Sequence, residues 1–175
     1  MKRIVIIGNS GSGKTHLGQI LSSCFGYRLI HLDTLFWEPG GFNIKRSNEI
    51  VYAEIARIRQ TKTWIVEGVF GELAKEFCVC ADTLIWLDQD WETCSRSLLQ
   101  RGPESSKQLD KQSAEENFQN LLQWASEYWQ RETPSSYRGH LLLFERFNND
   151  KIRLQSRKAV NDFGSPVING KTLTK

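Results

Sequence analysis

The chain has 175 residues and a mass of 20.2 kDa, with 39% hydrophobic and 25% charged residues, enough apolar material for one self-sufficient core and too much for an intrinsically disordered chain. Its 23 Lys+Arg against 20 Asp+Glu leave a formal net charge of +3, too near balance to demand a polyanionic partner. The balance is uneven along the chain: residues 1–130 carry 14 basic and 16 acidic residues, while residues 131–175 carry 9 basic and 4 acidic.

In chain order, Arg3 to Ile7, Arg28 to Leu32, Thr63 to Val66, Thr83 to Leu87 and Ile152 to Leu154 read as strands, the first four nearly continuous in apolar character. Such runs suit strands buried on both faces of a parallel sheet. Helices are expected over Lys14 to Phe25, Asn48 to Gln60, Glu72 to Phe77, Trp91 to Gln100, Ala114 to Arg131, Ser136 to Phe147 and Arg157 to Phe163. In the longest of these, Phe118, Leu121, Leu122, Ala125 and Trp129 form one stripe, and Ser113 with Glu116 supplies a capping box. The alternation predicts an open α/β sheet with helices on both faces, folded as one domain over 1–175. The polar stretch Gly102 to Gln112 reads as a lid, and the tail after Gly164 has no periodicity.

The apolar run Ile4 to Ile7 is too short for a secretory or membrane segment, so a cytosolic protein is expected. Cys24, Cys78, Cys80 and Cys94 contain no C-x-x-C pair and read as thiols rather than metal ligands.

Directly after the first strand, Gly8-Asn9-Ser10-Gly11-Ser12-Gly13-Lys14-Thr15 fits G-x-x-x-x-G-K-[ST]. Glycines at this spacing let backbone N–H groups curl around phosphate oxygens, and the following helix aims its N-terminus at the same charge. Lys14 is expected on the β- and γ-phosphates of ATP, with the Thr15 hydroxyl on Mg²⁺. No N-K-x-D guanine-reading tetrapeptide is present, and the chain is too short for an AAA+ or motor accessory domain, which leaves a small phosphotransferase.

With His31-Leu32-Asp33-Thr34-Leu35-Phe36-Trp37-Glu38-Pro39-Gly40 and Trp64-Ile65-Val66-Glu67-Gly68-Val69-Phe70 added, the chain resembles the adenylate-kinase-related proteins known as topology modulation proteins over about Lys2 to Arg101, and more faintly over Leu141 to Phe163. The resemblance implies the nucleoside monophosphate kinase fold, a three-layer P-loop NTPase with a five-stranded parallel sheet of order 2-3-1-4-5. By the same similarity, Asp33, expected to end the second strand, is the candidate base toward an acceptor hydroxyl, with His31 on its strand face. Glu67 joins Thr15 in holding Mg²⁺. The arginines implied near the transferring phosphoryl group point to Arg101 rather than Arg96, because the two stand five residues apart where family members space them by four. Arg131 and Arg138 are further candidates for facing the site. Asp88 and Asp90 are expected to cap the helix at Trp91. Arg157, in the segment Leu154 to Lys158, is expected beside the adenine, with Ser156 capping the last helix.

In adenylate kinases proper the glycine after the third-strand acid leads into F-P-R, whose arginine grips the acceptor's phosphate, whereas Gly68-Val69-Phe70-Gly71-Glu72 has no arginine. Residues 34–62, rich in Phe36, Trp37, Pro39, Gly40, Gly41 and Phe42, therefore read as a segment for an acceptor with a hydroxyl and an apolar surface. A nucleotide-dependent regulator that binds DNA is the competing expectation, motivated by the family label and the basic last quarter. That quarter has no helix-turn-helix signature, and its acids are interspersed.

Overall fold

A computed structural model describes residues 1–39, 44–103 and 111–168. Five strands, β1 (Arg3–Gly8), β2 (Leu29–His31), β3 (Trp64–Gly68), β4 (Thr83–Leu87) and β5 (Asp150–Leu154), form one parallel sheet in the order β2-β3-β1-β4-β5. The helices are α1 (Lys14–Phe25), α2 (Leu32–Phe36), α3 (Asn48–Arg59), α4 (Gly71–Cys78), α5 (Trp91–Arg101), α6 (Lys111–Ser126), α7 (Tyr137–Arg146) and α8 (Arg157–Ile168), with a 3-10 turn over Glu127–Trp129.

The sheet is apolar on both faces because alternate residues of each strand enter different cores. Val5, Ile7, Trp64, Val66 and Trp86 meet Val51 and Ile55 of α3 and Leu73 and Phe77 of α4, while Phe144 of α7 packs alongside. Ile4, Ile6, Ile65, Ile85 and Leu87 meet Leu17 and Leu21 of α1 and Val160 of α8. Removing a large side chain such as Trp64 or Trp86, both fully buried, is expected to cost about 3–5 kcal/mol.

Short polar side chains fix the helix starts. Ser47, Asp90, Ser136 and Ser156 accept from the N–H groups of Ile50, Thr93, Gly139 and Ala159 at 3.4, 2.7, 3.1 and 3.1 Å. Asp88, also expected as a cap, instead pairs with Arg153 at 2.7 Å, because β5 lies beside β4 and brings that guanidinium to its carboxylate.

The second strand ends earlier than the sequence pattern predicts. It stops at His31, and residues 32–36 turn into α2, which buries Leu32 and Leu35 at helical spacing. The Thr34 hydroxyl closes that turn by donating to the His31 carbonyl at 2.8 Å. Asp33 therefore stands in the first turn of a helix, not at a strand end, and does not share a strand face with His31.

The helix expected from Ala114 begins at Lys111 and passes into the 3-10 turn, and the last helix runs to Ile168 where loose chain was expected after Gly164. Most of the expected lid, residues 104–110, and Gly40, Gly41 and Phe42 lie outside the described residues, as do residues 169–175.

Candidate active site

The phosphate loop joins β1 to α1 at the carboxyl edge of the sheet. Gly11 and Gly13 have φ of 78° and 98°, a region that L side chains rarely adopt, and a Cβ on Gly11 would stand 2.3 Å from the Cys94 carbonyl oxygen of α5. Asn9 is buried. Its Oδ1 accepts from the Ser10 N–H at 2.8 Å and its Nδ2 donates to the Ala125 carbonyl of α6 at 2.9 Å, so one side chain shapes the loop and ties it to the helix behind. The Ser12 hydroxyl oxygen is buried without a hydrogen-bond partner, and Gly13 caps α1 with no side-chain acceptor for the helix N–H groups. An uncapped helix start behind a glycine turn, with an unpartnered hydroxyl beside it, suits an anion.

Lys14 is buried, and its ammonium donates to the Asn9 carbonyl at 2.8 Å. Burial holds its pKa below the ordinary lysine value; Glu67 and Asp33 oppose that shift, and Arg101 reinforces it. The four expected charged groups thus act within one electrostatic field, although Asp33 and Arg101 are themselves exposed.

Glu67, 3% exposed, accepts from the Thr15 hydroxyl at 3.0 Å and from His31 Nδ1 at 2.6 Å, both on Oε1. Burial acts to raise its pKa, but the His31 hydrogen bond, the Lys14 charge and the Thr15 hydroxyl outweigh it and keep the carboxyl below the usual range. The two residues expected to hold Mg²⁺ are therefore in contact, and their oxygens are the hard donors that ion prefers. The Arg157 guanidinium lies beside the phosphate loop, 3.3 Å from where a Gly13 Cβ would stand, and it donates to the Ser97 hydroxyl of α5.

Beside α2 stands an aromatic wall. Phe36 stacks on Phe70 with centroids 4.2 Å apart, Trp37 meets Phe36 edge-on at 4.7 Å, and the Lys45 ammonium lies 5.0 Å from the Phe36 centroid. Behind the wall, His140 is fully buried; it donates from Nε2 to the Val69 carbonyl at 3.0 Å and accepts at Nδ1 from the Tyr128 hydroxyl at 2.6 Å. Burial pushes its pKa down to about 3, so it is neutral. It anchors the chain that leaves Glu67 toward Phe70. Neither His140 nor Asn9's tie to α6 was visible in the sequence, because both depend on contacts across the fold.

Other arginines of the chain make local contacts. Arg96 pairs with Glu92 at 2.6 Å on the exposed face of α5. Arg131 stacks on Trp124 at 3.8 Å and donates to the Trp124 and Ser135 carbonyls, holding the turn after α6. Arg138 pairs with Glu132 at 2.7 Å. Three basic residues of the last quarter are likewise engaged: Lys151 donates to three carbonyls at the end of α7, Arg153 holds Asp88 and Lys158 holds Asp162.

Among the described residues no cluster of three metal-ligating side chains occurs, no disulfide joins any of the four cysteines, and no helix is long and apolar enough to cross a membrane.

No family model matches the chain, and no curated protein matches it either. Solved structures do. A gluconokinase from Sinorhizobium meliloti 1021 aligns with a TM-score of 0.56 at 16% identity, over 97% of this chain and 91% of that one. Shikimate kinase from Acinetobacter baumannii, in complex with shikimate, aligns at 0.53 and 17%, over 99% and 96%. A sugar kinase from Janibacter sp. HTCC2649 aligns at 0.50 and 15%, over 97% and 95%. At such identities the likeness is one of fold, and the fold is the three-layer α/β fold of P-loop kinases.

Proposed function

We propose that the chain is an ATP- and Mg²⁺-dependent kinase of a small molecule, transferring the γ-phosphoryl group to a hydroxyl acceptor. The observation that carries this reading is the meeting of Lys14, Thr15 and Glu67 at one phosphate loop, with Asp33 close enough to act on the Lys14 charge. The N–H groups of Gly11 and of residues 13–15 would cradle the phosphates, and Lys14 would leave the Asn9 carbonyl for the β- and γ-oxygens. Mg²⁺, held by Thr15 and Glu67, would supply charge neutralisation between those phosphates. Asp33 would take the proton from the acceptor hydroxyl as its oxygen bonds to the γ-phosphorus; the bridging oxygen leaves with the electron pair on ADP. Arg101 would stabilise negative charge on the transferring group, and Arg157 would line the nucleotide side.

Two features favour a hydroxyl over a phosphate acceptor. Residues 68–72 offer no arginine beside the aromatic wall of Phe36, Trp37 and Phe70, and the similar structures are named for gluconate, shikimate and sugar, all polyhydroxylated. The narrower kinship with topology modulation proteins rests on the H-L-D-T-L-F-W segment. Four cysteines without a disulfide fit the cytosolic setting. For a DNA-binding regulator no specific observation speaks, since the basic side chains named above are spent on local contacts.

The test is an ADP-release screen with Mg-ATP and a panel of sugars, sugar acids, nucleosides and nucleoside monophosphates. A hydroxyl acceptor that stimulates release supports the reading. Stimulation by a monophosphate alone contradicts the acceptor assignment, and stimulation by DNA alone favours the regulator.

A further inference from the structure

We infer that His31 is a positioning residue for Glu67, keeping that carboxylate turned to the Mg²⁺ site and away from Lys14. This rests on the reading of Glu67 and Thr15 as the metal-holding pair. His31 lies directly opposite Glu67 in the register of the β2–β3 pair, so their side chains leave the sheet on the same face. Nδ1 stands 2.6 Å from Oε1, and since an ionised carboxylate only accepts, the Nδ1–H is the donor.

The need for such a donor follows from the neighbouring charge. Glu67 and Lys14 attract each other in a buried setting, where opposite charges interact far more strongly than in water. They nevertheless form no ion pair within 4.0 Å: the ammonium rests on the Asn9 carbonyl at 2.8 Å, and Glu67 Oε1 takes His31 and Thr15. Thr15 cannot serve as a permanent tether, because its hydroxyl is itself wanted by the metal. His31 has no such second duty toward the phosphates, and its side chain reaches Glu67 from the strand on the far side of β3 from the loop. Without His31, Glu67 is left to collapse onto Lys14, which would remove both a phosphate ligand and a metal ligand. The arrangement parallels the outer-shell partners that orient metal ligands elsewhere, whose loss typically weakens metal affinity by about 10–100-fold.

The experiment is a Mg²⁺ titration of the full chain followed by binding of a fluorescent ADP analogue, with thermal melting in parallel. His31→Phe removes the donor, His31→Ala does so without bulk, and His31→Asn returns an N–H near the Nδ1 position; Glu67→Gln serves as the control for the metal site. The expected result is a rise of about tenfold in the Mg²⁺ midpoint for His31→Phe and His31→Ala, and a midpoint within about threefold of the parent for His31→Asn, with melting temperatures close together. If Glu67→Gln shifts the midpoint and the two donor-deleting variants do not, the role of His31 is refuted while the metal site stands. If Glu67→Gln shifts nothing, the metal reading falls and the inference with it. A His31→Asn variant as impaired as His31→Phe also refutes the donor role.

Discussion

Glu67 and Asp88 look alike in the sequence, each an acid at the carboxyl end of an apolar strand, yet the fold gives them opposite employment. Asp88 beyond β4 is consumed by fixed partners: Arg153 donates to its Oδ2 from Nε and Nη2 at 3.0 and 2.7 Å, and Gln155 adds a third bond at 3.2 Å. The guanidinium also stacks on Trp86 at 4.4 Å and reaches the Tyr137 hydroxyl at 3.0 Å. Glu67 on β3 is held by a histidine and by a threonine hydroxyl that a cation can claim, and it faces a buried lysine with which it does not pair. A permanently charged partner makes a carboxylate part of the scaffold, whereas a hydroxyl that a cation can claim leaves a carboxylate open to a ligand. The contrast also separates shape from chemistry. A groove of about 320 Å³ lies at the Asp88 end, and in its lining Asp88, Tyr137, Arg153 and Gln155 bond to one another.

Substitutions can break or sharpen this contrast. The largest effect is expected at the Glu67 end from Lys14→Met, which should lower kcat by about 10³-fold or more while the melting temperature holds or rises, since a buried charge is removed. Asp33→Asn should cost roughly 10³-fold in kcat with nucleotide affinity within a few-fold, read by steady-state kinetics and direct nucleotide binding. Glu67→Gln should cost about 10²-fold, restored in part by high Mg²⁺. Asp88→Asn should leave kcat within about threefold and lower stability by about 1–2 kcal/mol, measured by denaturant unfolding, because it weakens the hold on Arg153 without touching the phosphates. An Asp88→Asn variant as inactive as Glu67→Gln would erase the distinction.

A further prediction concerns pH. His140 is neutral in the fold, with its pKa pushed down to about 3, so the unfolded chain binds a proton that the native chain refuses between that value and the ordinary pKa near 6.5. Stability should therefore fall as pH drops below about 6.5, with His140 contributing up to about 1.4 kcal/mol per pH unit. The lowered pKa of Glu67 acts in the same direction at lower pH. His140→Asn should flatten the upper part of that slope in melts taken from pH 7 to 4.

Where the fold and the phosphate loop were legible in the sequence, they were legible because local pattern determines them. The glycine spacing of the phosphate loop and the two-sided apolar strands are properties of neighbouring residues, and the sheet order matches what the resemblance implied. Helix α2 was not legible, since Leu32 and Leu35 read equally well as the end of an apolar strand until the core they enter is known. The capping of Asp90 against the pairing of Asp88 turns on Arg153, more than sixty residues away. The His31–Glu67 pair depends on the register between two strands joined by a long crossover, which no single-chain pattern records.

The most direct test of the central claim is phosphorus NMR of Mg-ATP incubated with the wild-type chain and the acceptor found by screening, beside the Asp33→Asn variant. The account predicts that a phosphomonoester resonance grows as the γ-phosphate signal disappears, with the variant nearly silent. Growth of inorganic phosphate alone, or equal transfer by Asp33→Asn, would contradict it.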